Sequence, residues 1–494
     1  MSRTVAVRNP RTGKEDYSFD APDADELAGT AGALRASQPA WSAMGAEERG
    51  AVLIAWAESL KKNDQGLLKA LIQDTGRTAI AKAEVMGFLT RIEGWAKSAP
   101  GMMTTEARRS NFFDTIRLES RNDPYPLVGV ISPWNFPLLL SFIDALPALM
   151  AGCAVIIKPS EVTPRFAEPI MKSLKQHPTL ASVLKVVAGD GQTGAALTPL
   201  VDAVAFTGSV KTGRLVGEAA AANFIPAFLE LGGKDPAIIL EDADIDRAAD
   251  ALLRGSIAAT GQACQSIERI YVHHTIAEEF TTKLAQKAEE VSLSWPDADS
   301  GIVGPLIFGR QADIIADHLA DARSKGARIL TGGKMEELGG GDFIAPTVLD
   351  NVTHEMKVMT EETFGPVMPV MSFKDDDEAI KLANDSLYGL SACVFSESVD
   401  RACAVADKIN AGGISINDAG LTTMVHEIEK NGYGFSGIGA SRMGSTGLLR
   451  FFRRKAYYIQ EGDPSPVAAL AEAKGPVQSG ELPRQNPLKK LFRR

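Results

Sequence analysis

Cysteine and histidine are scarce in this chain of 494 residues, which has four cysteines and six histidines. The cysteines are scattered and fall at neither zinc-ligand nor disulfide-framework spacings; they are Cys153, Cys264, Cys393 and Cys403. The scarcity excludes a disulfide-rich scaffold, predicts no metal site, and indicates a reducing compartment. We therefore expect a cytoplasmic protein.

Positive charge is also in short supply, with 52 Lys and Arg against 62 Asp and Glu, a formal net charge of -10. This balance argues against nucleic acid as a partner. The N-terminus has no apolar signal region. The one long apolar run, residues 136–157, carries a single charge, Asp144, and is broken by Pro137, Pro147 and Gly152. A buried helix leading into a buried strand explains it better than a membrane span.

The texture of the chain predicts an α/β fold. A chain of this length is too long for one ordinary core, so two or three domains are expected. From about residue 124, short apolar runs alternate with helical stretches, which is typical of parallel sheets covered on both faces. The runs include Val128–Ile131, Ala154–Ile157, Ala203–Phe206, Ala237–Leu240, Arg269–Val272 and Ile414–Ile416. We predict two Rossmann-like open-sheet domains that meet near residue 235.

Two short segments and the C-terminal end of the chain differ from this alternation of apolar runs and helical stretches. Ile116–Ser120 and Ala456–Ile459 look like strands outside the two domains, and exposed strand edges favour pairing between chains. Residues 463–488 are rich in Pro, Gly, Ala and Ser, and a basic apolar end, Lys489–Arg494, follows them. A flexible, solvated C-terminal tail is the favoured interpretation of 463–494, ahead of contact with an acidic membrane surface or a partner.

Two short motifs predict covalent catalysis. Glu230-Leu-Gly-Gly-Lys234 offers a carboxylate beside two glycines, and Gly261-Gln-Ala-Cys264 offers a thiol among small residues. A thiol is useful as a nucleophile when it can be deprotonated and reached, and a carboxylate can activate water. Most single cysteines are core residues, as Cys153 should be in its apolar run. Either motif alone is weak, so the prediction depends on the other motifs that accompany them.

Those other motifs occur in a fixed order along the chain, which resembles the NAD(P)-dependent aldehyde dehydrogenase superfamily over about residues 5–460. They are Pro133-Trp-Asn-Phe-Pro137, Lys158-Pro-Ser-Glu161, Phe206-Thr-Gly-Ser-Val-Lys-Thr-Gly213, Glu230–Lys234, Gly261–Cys264 and Glu361-Glu-Thr-Phe-Gly-Pro366. The resemblance implies an enzyme that oxidises an aldehyde to a carboxylic acid. Cys264 would be the nucleophile, Glu230 the base for the hydrolytic water, and Asn135, with the Cys264 N–H, the oxyanion donor.

The resemblance also implies a set of cofactor-binding residues: Trp134, Lys158, Glu161, Gly191, Gly208, Ser209, Gly213, Glu362 and Phe364. The literal Gly-x-Gly-x-x-Gly at 189–194 competes for the phosphate-binding role. The loop Gly208–Gly213 has the stronger claim, because it follows a strand and opens a helix whose N-terminus can hold phosphate. Glu161 should repel a 2′-phosphate, so NAD is favoured over NADP.

The resemblance assigns residues 1–235 to an NAD-binding domain with an oligomerisation strand near 112–124. It assigns 236–430 to a catalytic domain, and 431–462 to a return to the first domain with a second oligomerisation strand. A homodimer or homotetramer is therefore expected. The chain departs from the family pattern at Glu429-Lys-Asn-Gly-Tyr-Gly434, where Pro-Phe-Gly-Gly-x-Lys is usual, and Gly444 follows one residue later than normal.

Two other functions remain open. A coenzyme A-acylating dehydrogenase would pass the thioester to a thiol; related acylating enzymes commonly lack the glutamate at the position of Glu230. A catalytically silent binding protein could keep the fold without the chemistry. For the substrate, Phe136 and Leu140 stand one helical turn apart after Asn135, which suggests an apolar tunnel and a medium aliphatic or aromatic aldehyde.

Overall fold

Two largely parallel β-sheets form the framework of the molecule. The computed structural model describes residues 3–62 and 64–467. The first sheet has six strands, in the spatial order Gly437–Ile438, Ala227–Glu230, Ala203–Thr207, Leu127–Ile131, Ala154–Lys158 and Leu184–Val186. The second has seven, in the order Arg328–Thr331, Thr347–Asp350, Val367–Phe373, Ile267–His273, Asp235–Ile239, Ser391–Phe395 and Gly413–Ile416. Only the first strand of each order runs antiparallel to its neighbour.

Helices flank both sheets. The N-terminal third contributes Ala24–Ala43, Ala46–Lys62, Gln65–Thr75, Thr78–Met102 and Pro137–Ala151. Those that follow within the first sheet's segment are Ala167–Leu174, Pro178–Ala181, Gly191–Leu197 and Val210–Ala222. The remaining helices are Ile245–Ile257, Ala277–Glu289, Gly309–Ser324, Lys357–Thr360, Asp376–Asn384, Val399–Ala406, Leu421–Met424 and Thr446–Leu449. Two 3₁₀ turns occupy Thr198–Leu200 and Ala258–Gly261.

The apolar runs of the sequence form the buried centres of these sheets. Every residue of Leu127–Ile131, Ala154–Lys158 and Ala203–Thr207 is buried, and the three strands pair in parallel. Helix Pro137–Ala151 ends at Gly152 and leads directly into strand Ala154–Lys158. The interpretation of residues 136–157 as a buried helix followed by a buried strand is therefore confirmed.

A third, antiparallel sheet stands apart from these two. Its strands are Phe452–Gln460, Ile116–Pro124 and Arg108–Arg109, in that order. Both strands predicted outside the domains are present, and they pair with each other, Ala456 opposite Ser120. Most of Phe452–Gln460 is exposed.

The fold class predicted from sequence is confirmed, with two Rossmann-like units and a small β arm. Three antiparallel strand pairs were not predicted from the sequence. One is an N-terminal hairpin, Arg3–Arg8 with Glu15–Ala21. The other two are short: Met335–Leu338 with Gly341–Ile344, and Tyr388–Gly389 with Tyr433–Gly434. The predicted flexible tail lies mostly beyond residue 467, outside the described residues. Within the described ranges no helix is long and apolar enough to cross a membrane. The same ranges contain no group of three or more His, Cys, Asp or Glu suited to a metal ion.

The passage between the two sheets determines where the site forms. Glu230 is the last residue of an edge-side strand in the first sheet, and Asp235 begins a central strand of the second. Four residues therefore connect the carboxyl end of one strand to the amino end of the other. Open α/β sheets bind ligands at the carboxyl ends of their strands, which is where Glu230 lies.

Candidate active site

The two glycines after Glu230 allow two other segments to approach. A Cβ atom on Gly232 would lie 2.5 Å from Glu362 Oε2, and one on Gly233 would lie 2.4 Å from the Cys264 carbonyl oxygen. At Gly233 the obstacle is backbone, so glycine is required there. At Gly232 the obstacle is the movable end of the Glu362 side chain, so a side chain would displace Glu362. Three motifs that are far apart in sequence, those of Glu230, Cys264 and Glu362, therefore meet at this passage.

The loop Ala258–Cys264, here called the nucleophile loop, has an unusual backbone conformation. Ala259, Thr260 and Gly261 have φ values of 55°, 63° and 68°, three successive left-handed residues between helix Ile245–Ile257 and Cys264. The buried Gln262 side chain fixes the loop: its Oε1 accepts the Ile307 N–H at 2.9 Å, and its Nε2 donates to the Ala259 and Pro305 carbonyls at 3.3 Å each. Backbone strain of this kind persists only where the surroundings enforce it.

Asn135 lies against this loop, as its predicted role requires. It is buried, and its Nδ2 donates to the Gln262 carbonyl at 3.0 Å. Arg77 donates from Nη2 to the Asn135 carbonyl at 2.6 Å and from Nη1 to the Ala259 carbonyl at 2.8 Å, which ties the two loops together. An amide NH₂ carries two donors, so one N–H of Asn135 is left for a substrate oxygen.

A buried ion pair supports the segment Glu361–Pro366. Lys234 donates from Nζ to Glu268 Oε2 at 2.7 Å and to the Thr363 hydroxyl at 3.0 Å. Glu268 accepts the backbone N–H groups of Thr363 and Phe364, both at 2.7 Å. These contacts hold Phe364 at a φ of 52°. Glu362 turns back and accepts the Gly233 N–H at 3.1 Å.

The surroundings of Cys264 favour the neutral thiol. Burial, together with the carboxylates of Asp235, Glu362 and Glu230, raises the pKa of the Cys264 thiol to about 12, while Lys430 opposes the shift. Burial also raises the pKa of Glu362 to about 8 and that of Asp235 to about 7. The Cys264 residue is nevertheless partly exposed, whereas Cys153 and Cys393 are buried. Cys264 is therefore the reachable thiol of this site, and it needs a proton acceptor.

Two cations reach the site from the segment that departs from the family pattern. Arg442 Nε lies 3.7 Å from Glu230 Oε1, and its Nη2 donates to Asp144 Oδ2 at 2.8 Å and to the Thr207 hydroxyl at 2.6 Å. Lys430 donates from Nζ to Gln265 Oε1 at 2.8 Å.

Neither of these cations was predicted from the sequence as a site residue, and Arg77 was not predicted either. The disrupted loop pattern at 429–434 was the available signal for Lys430. Arg442 and Arg77 had no motif to mark them.

Two predicted cofactor residues, Lys158 and Glu161, form a polar corner at the end of strand Ala154–Lys158. Lys158 is buried; its Nζ donates to the carbonyls of Gly189 and Asp190 at 3.1 and 3.4 Å and lies 3.5 Å from Glu161 Oε2. The Glu161 side chain remains 42% exposed. A ribose diol could bond to this exposed carboxylate. Gly191 begins the next helix, beside the residues that Lys158 contacts.

Two helix N-termini face this region, and only one is suited to phosphate. Asp190 caps helix Gly191–Leu197 and accepts the Gln192 and Thr193 N–H groups at 3.0 Å, so a carboxylate already occupies these donors. The longer helix Val210–Ala222 is capped by the neutral Ser209, directly after Gly208. A Cβ on Gly213 would meet Leu231 Cδ2 at 2.4 Å, so the helix packs closely on the Glu230 segment.

An aromatic pair connects the two halves of the site. Trp134 and Phe364 meet edge to face with ring centroids 5.3 Å apart, and Trp134 precedes Asn135 in the chain. The Trp134 carbonyl accepts the Thr163 hydroxyl at 3.1 Å. The structure therefore gathers Cys264, Glu230, Asn135, Trp134, Glu362 and Phe364 in one place. Lys158, Glu161, Gly191, Gly208, Ser209 and Gly213 lie along the neighbouring strand and helix ends of the first sheet.

A model of the aldehyde dehydrogenase family matches residues 1–457 of the chain. The chain belongs to the aldehyde dehydrogenase family. Among solved structures, PutA of Anabaena variabilis is 52% identical with a TM-score of 0.93, over 94% of this chain and 99% of that chain. Betaine aldehyde dehydrogenase of Staphylococcus aureus in complex with NAD⁺ is 30% identical with a TM-score of 0.88, over 95% and 96% of the two chains.

Curated relatives carry different substrate names. A 4,4′-diapolycopene aldehyde oxidase of Methylomonas is 38% identical over 83% of this chain and 77% of its own length. A Mycolicibacterium smegmatis protein, named as a succinate-semialdehyde dehydrogenase with NADP⁺, is 32% identical over 89% and 86% of the two chains. Membership of the family makes this chain an oxidoreductase of aldehydes.

Proposed function

We propose that the chain oxidises an aldehyde to the carboxylic acid through a thioester on Cys264 that water hydrolyses. One observation carries the proposal: the glycines after Glu230 admit the nucleophile loop so closely that a Cβ atom on Gly233 would lie 2.4 Å from the Cys264 carbonyl oxygen, while Asn135 donates to the residue two before the cysteine. A nucleophile, a carboxylate base and an amide donor that share one small space are the groups that acyl chemistry requires.

The first half of the cycle uses Cys264 and Asn135. The Cys264 sulfur attacks the aldehyde carbon after losing its proton. We assign Glu230 as the acceptor, since its carboxylate is close enough to act electrostatically on the thiol. The free N–H of Asn135 and the backbone N–H of Cys264 hold the oxyanion that develops. Because Arg77 and Gln262 fix the Asn135 loop, the donor needs little reorganisation. The hydride that leaves the adduct requires an acceptor, which is the chemistry that bound NAD supplies.

The second half uses Glu230 again. After Glu230 has released the thiol proton to solvent, its carboxylate takes a proton from water and the water oxygen attacks the thioester carbon. The C–S bond then breaks and returns Cys264 as a thiolate, with the carboxylic acid as product. Arg442, 3.7 Å from Glu230 Oε1, stabilises the negative charge that a carboxylate needs to act as a base. The presence of this glutamate supports hydrolysis over transfer of the acyl group to coenzyme A, which remains the alternative.

The donor set of the first sheet fits a nicotinamide dinucleotide. The N-terminus of helix Val210–Ala222, with Gly208, Ser209 and Gly213, would hold the pyrophosphate, and Lys158 and Glu161 would hold the adenosine ribose near Gly191. Trp134, Glu362 and Phe364 would hold the nicotinamide half. The exposed Glu161 carboxylate supports NAD over NADP, as in the relative solved with NAD⁺; the relative named for NADP⁺ leaves the preference to experiment.

For the substrate we retain the apolar aldehyde, medium aliphatic or aromatic. Phe136 and Leu140 are partly exposed at the start of helix Pro137–Ala151, next to Asn135. Arg442 lies beside Glu230, but Asp144 and Thr207 already occupy its Nη2, so it is poorly placed to bind a substrate carboxylate. The relative named for a carotenoid aldehyde supports an apolar substrate, whereas the one named for succinate semialdehyde does not.

We propose the domain division given by the sequence: 1–235 and 431–462 as the cofactor domain and 236–430 as the catalytic domain. The exposed strand Phe452–Gln460 is the edge we expect to pair in a homodimer or homotetramer. A cytoplasmic location also remains our proposal.

A panel of aldehydes tests the proposed function. The purified protein is mixed with NAD and with neutral aliphatic, aromatic and dicarboxylic semialdehydes, and NADH appearance is compared by kcat/KM. We expect turnover that is lost in Cys264→Ala, with the acid as product. If the folded protein produces no NADH with any aldehyde, the catalytically silent binding protein becomes the favoured function. A clear preference for succinate semialdehyde would overturn the proposal of an apolar substrate.

A further inference from the structure

Lys430 is a partly buried cation near the nucleophile that the reaction scheme leaves unused. It lies in the irregular segment between helix Leu421–Met424 and the short strand Tyr433–Gly434, within the sequence that departs from the family pattern. Its backbone N–H donates to the Ser441 hydroxyl at 3.1 Å. Its side chain passes over Gly413, where an added Cβ would lie 2.8 Å from Lys430 Cδ. The side chain is therefore directed inward by close packing.

The contacts of the ammonium group point to a role at Cys264. Lys430 Nζ donates at 2.8 Å to Oε1 of Gln265, the residue that follows Cys264, and the Thr422 hydroxyl donates to the same oxygen at 2.6 Å. Among the described residues no carboxylate oxygen lies within 4 Å of Nζ. A cation that is partly withdrawn from water is usually stabilised by a carboxylate, because loss of hydration is costly. Here the hydrogen-bond partner is instead a neutral amide next to the nucleophile.

We propose that Lys430 is a positioning residue whose charge supports the Cys264 thiolate, and that Gln265 holds its ammonium group in place. The proposal rests on the proposed function, in which Cys264 is the nucleophile. Lys430 lies in the loop that departs from the family pattern, and this proposal gives that residue a role at the thiol.

The charges around the Cys264 thiol support this role for Lys430. The charged groups that act on the Cys264 thiol include Asp235, Glu362, Glu230, Lys430 and Arg442. Three are acidic and disfavour a thiolate. Arg442 is shared with Asp144 and Glu230, whereas Lys430 has no such ion-pair partner in the part of the chain that the structure describes. Removing the Lys430 charge therefore leaves the acidic groups with less opposition.

The experiment measures the reactivity of the thiol itself, which does not require aldehyde turnover. Iodoacetamide alkylation of Cys264 is followed by mass spectrometry across pH 7–10 in the full chain and in Lys430→Met, Lys430→Arg and Gln265→Met. We expect Lys430→Met to lower the rate at each pH by roughly tenfold, the effect of one pKa unit. Lys430→Arg should restore most of the rate, and Gln265→Met should show a smaller loss.

Lys283→Met is the matched control, because Lys283 forms a surface ion pair with Asp246. Asp246 lies in the first turn of helix Ile245–Ile257, at the opposite end of that helix from the Cys264 loop. Unchanged circular dichroism and NAD binding establish that each variant folds. Wild-type alkylation rates in Lys430→Met, or no recovery in Lys430→Arg, would overturn the proposal. If the wild-type protein alkylates normally but oxidises no aldehyde, the proposed function fails while the role of Lys430 at the thiol is still decided.

Discussion

Replacement of Gly233 by alanine tests the convergence of the two sheets at the active site. The new Cβ would lie 2.4 Å from the Cys264 carbonyl oxygen and 2.7 Å from Asp235 Oδ1. Side-chain carbons essentially never come within 3.0 Å of such atoms, so the nucleophile loop must move by about 0.6 Å or more. Overpacking of this kind costs about 1–3 kcal/mol of unfolding free energy. A displacement near 1 Å at a reacting group costs on the order of 100-fold in rate, so we expect a 10- to 100-fold loss of kcat.

Two other glycines calibrate that result. Gly232→Ala should cost less stability, because its Cβ would meet the movable end of the Glu362 side chain at 2.5 Å. Gly94→Ala is the matched control: Gly94 lies within helix Thr78–Met102, with no atom within 4 Å of an added Cβ. It should stabilise the protein by about 0.5–1 kcal/mol and keep full activity. Urea unfolding midpoints and steady-state kinetics give both quantities. Wild-type activity in Gly233→Ala would show that the Cys264 loop does not lie against this glycine.

Three further predictions follow from the site. Asn135→Ala should lower kcat by roughly 10²–10³, the usual effect of removing one oxyanion donor, and unchanged kcat would refute that role. Because the thiol pKa is raised to about 12, its alkylation without cofactor should rise about tenfold per pH unit from 7 to 10 with no plateau; a plateau below pH 9 contradicts this. The wild-type protein should prefer NAD over NADP at least tenfold in kcat/KM, and Glu161→Ser should narrow the gap; equal efficiency in the wild type would show that Glu161 points elsewhere.

The parts that the sequence predicted well are those in which one residue type is required by local chemistry. Parallel strands buried on both faces read as continuous apolar runs, so the strands at 127–131 and 203–207 were visible without any structure. The glycines at 232 and 233 could be tied to close approach, although the partners of that approach, Cys264 and Glu362, could not be identified from spacing alone.

The helix caps favour one of the two loops that compete in the sequence for the phosphate-binding role. Gly-x-Gly-x-x-Gly at 189–194 is a literal match to a phosphate loop, yet Asp190 places its own carboxylate on the helix N-terminus. A phosphate would meet negative charge there, whereas the neutral Ser209 caps the other candidate helix. The Gly-x-Gly-x-x-Gly pattern does not specify the residue between its first two glycines. Here that residue is Asp190, and its carboxylate occupies backbone donors that a phosphate would need.

The residues that the sequence did not reveal act across long separations. Arg77 reaches the Asn135 loop and the Ala259 carbonyl by hydrogen bonds to backbone, which carries no sequence signal. Arg442 and Lys430 reach Glu230 and the nucleophile loop from the last part of the chain. Such contacts depend on how the two sheets and the late loop pack, which periodicity does not specify.

The most direct test of the thioester mechanism is the pre-steady-state kinetics of Glu230→Gln. The amide is nearly the same size, so cofactor binding and Cys264 should be retained, while activation of water is lost. We predict a burst of NADH of up to one equivalent per active site, followed by turnover slower by roughly 10²–10⁴-fold. The burst itself should be slower than in the wild type, because Glu230 is also the proton acceptor for the Cys264 thiol. Intact-mass analysis after the burst should show the acyl group on Cys264, and Cys264→Ala should show neither phase. Turnover of Glu230→Gln at the wild-type rate would contradict the account, and recovery with coenzyme A but not water would favour the acylating enzyme.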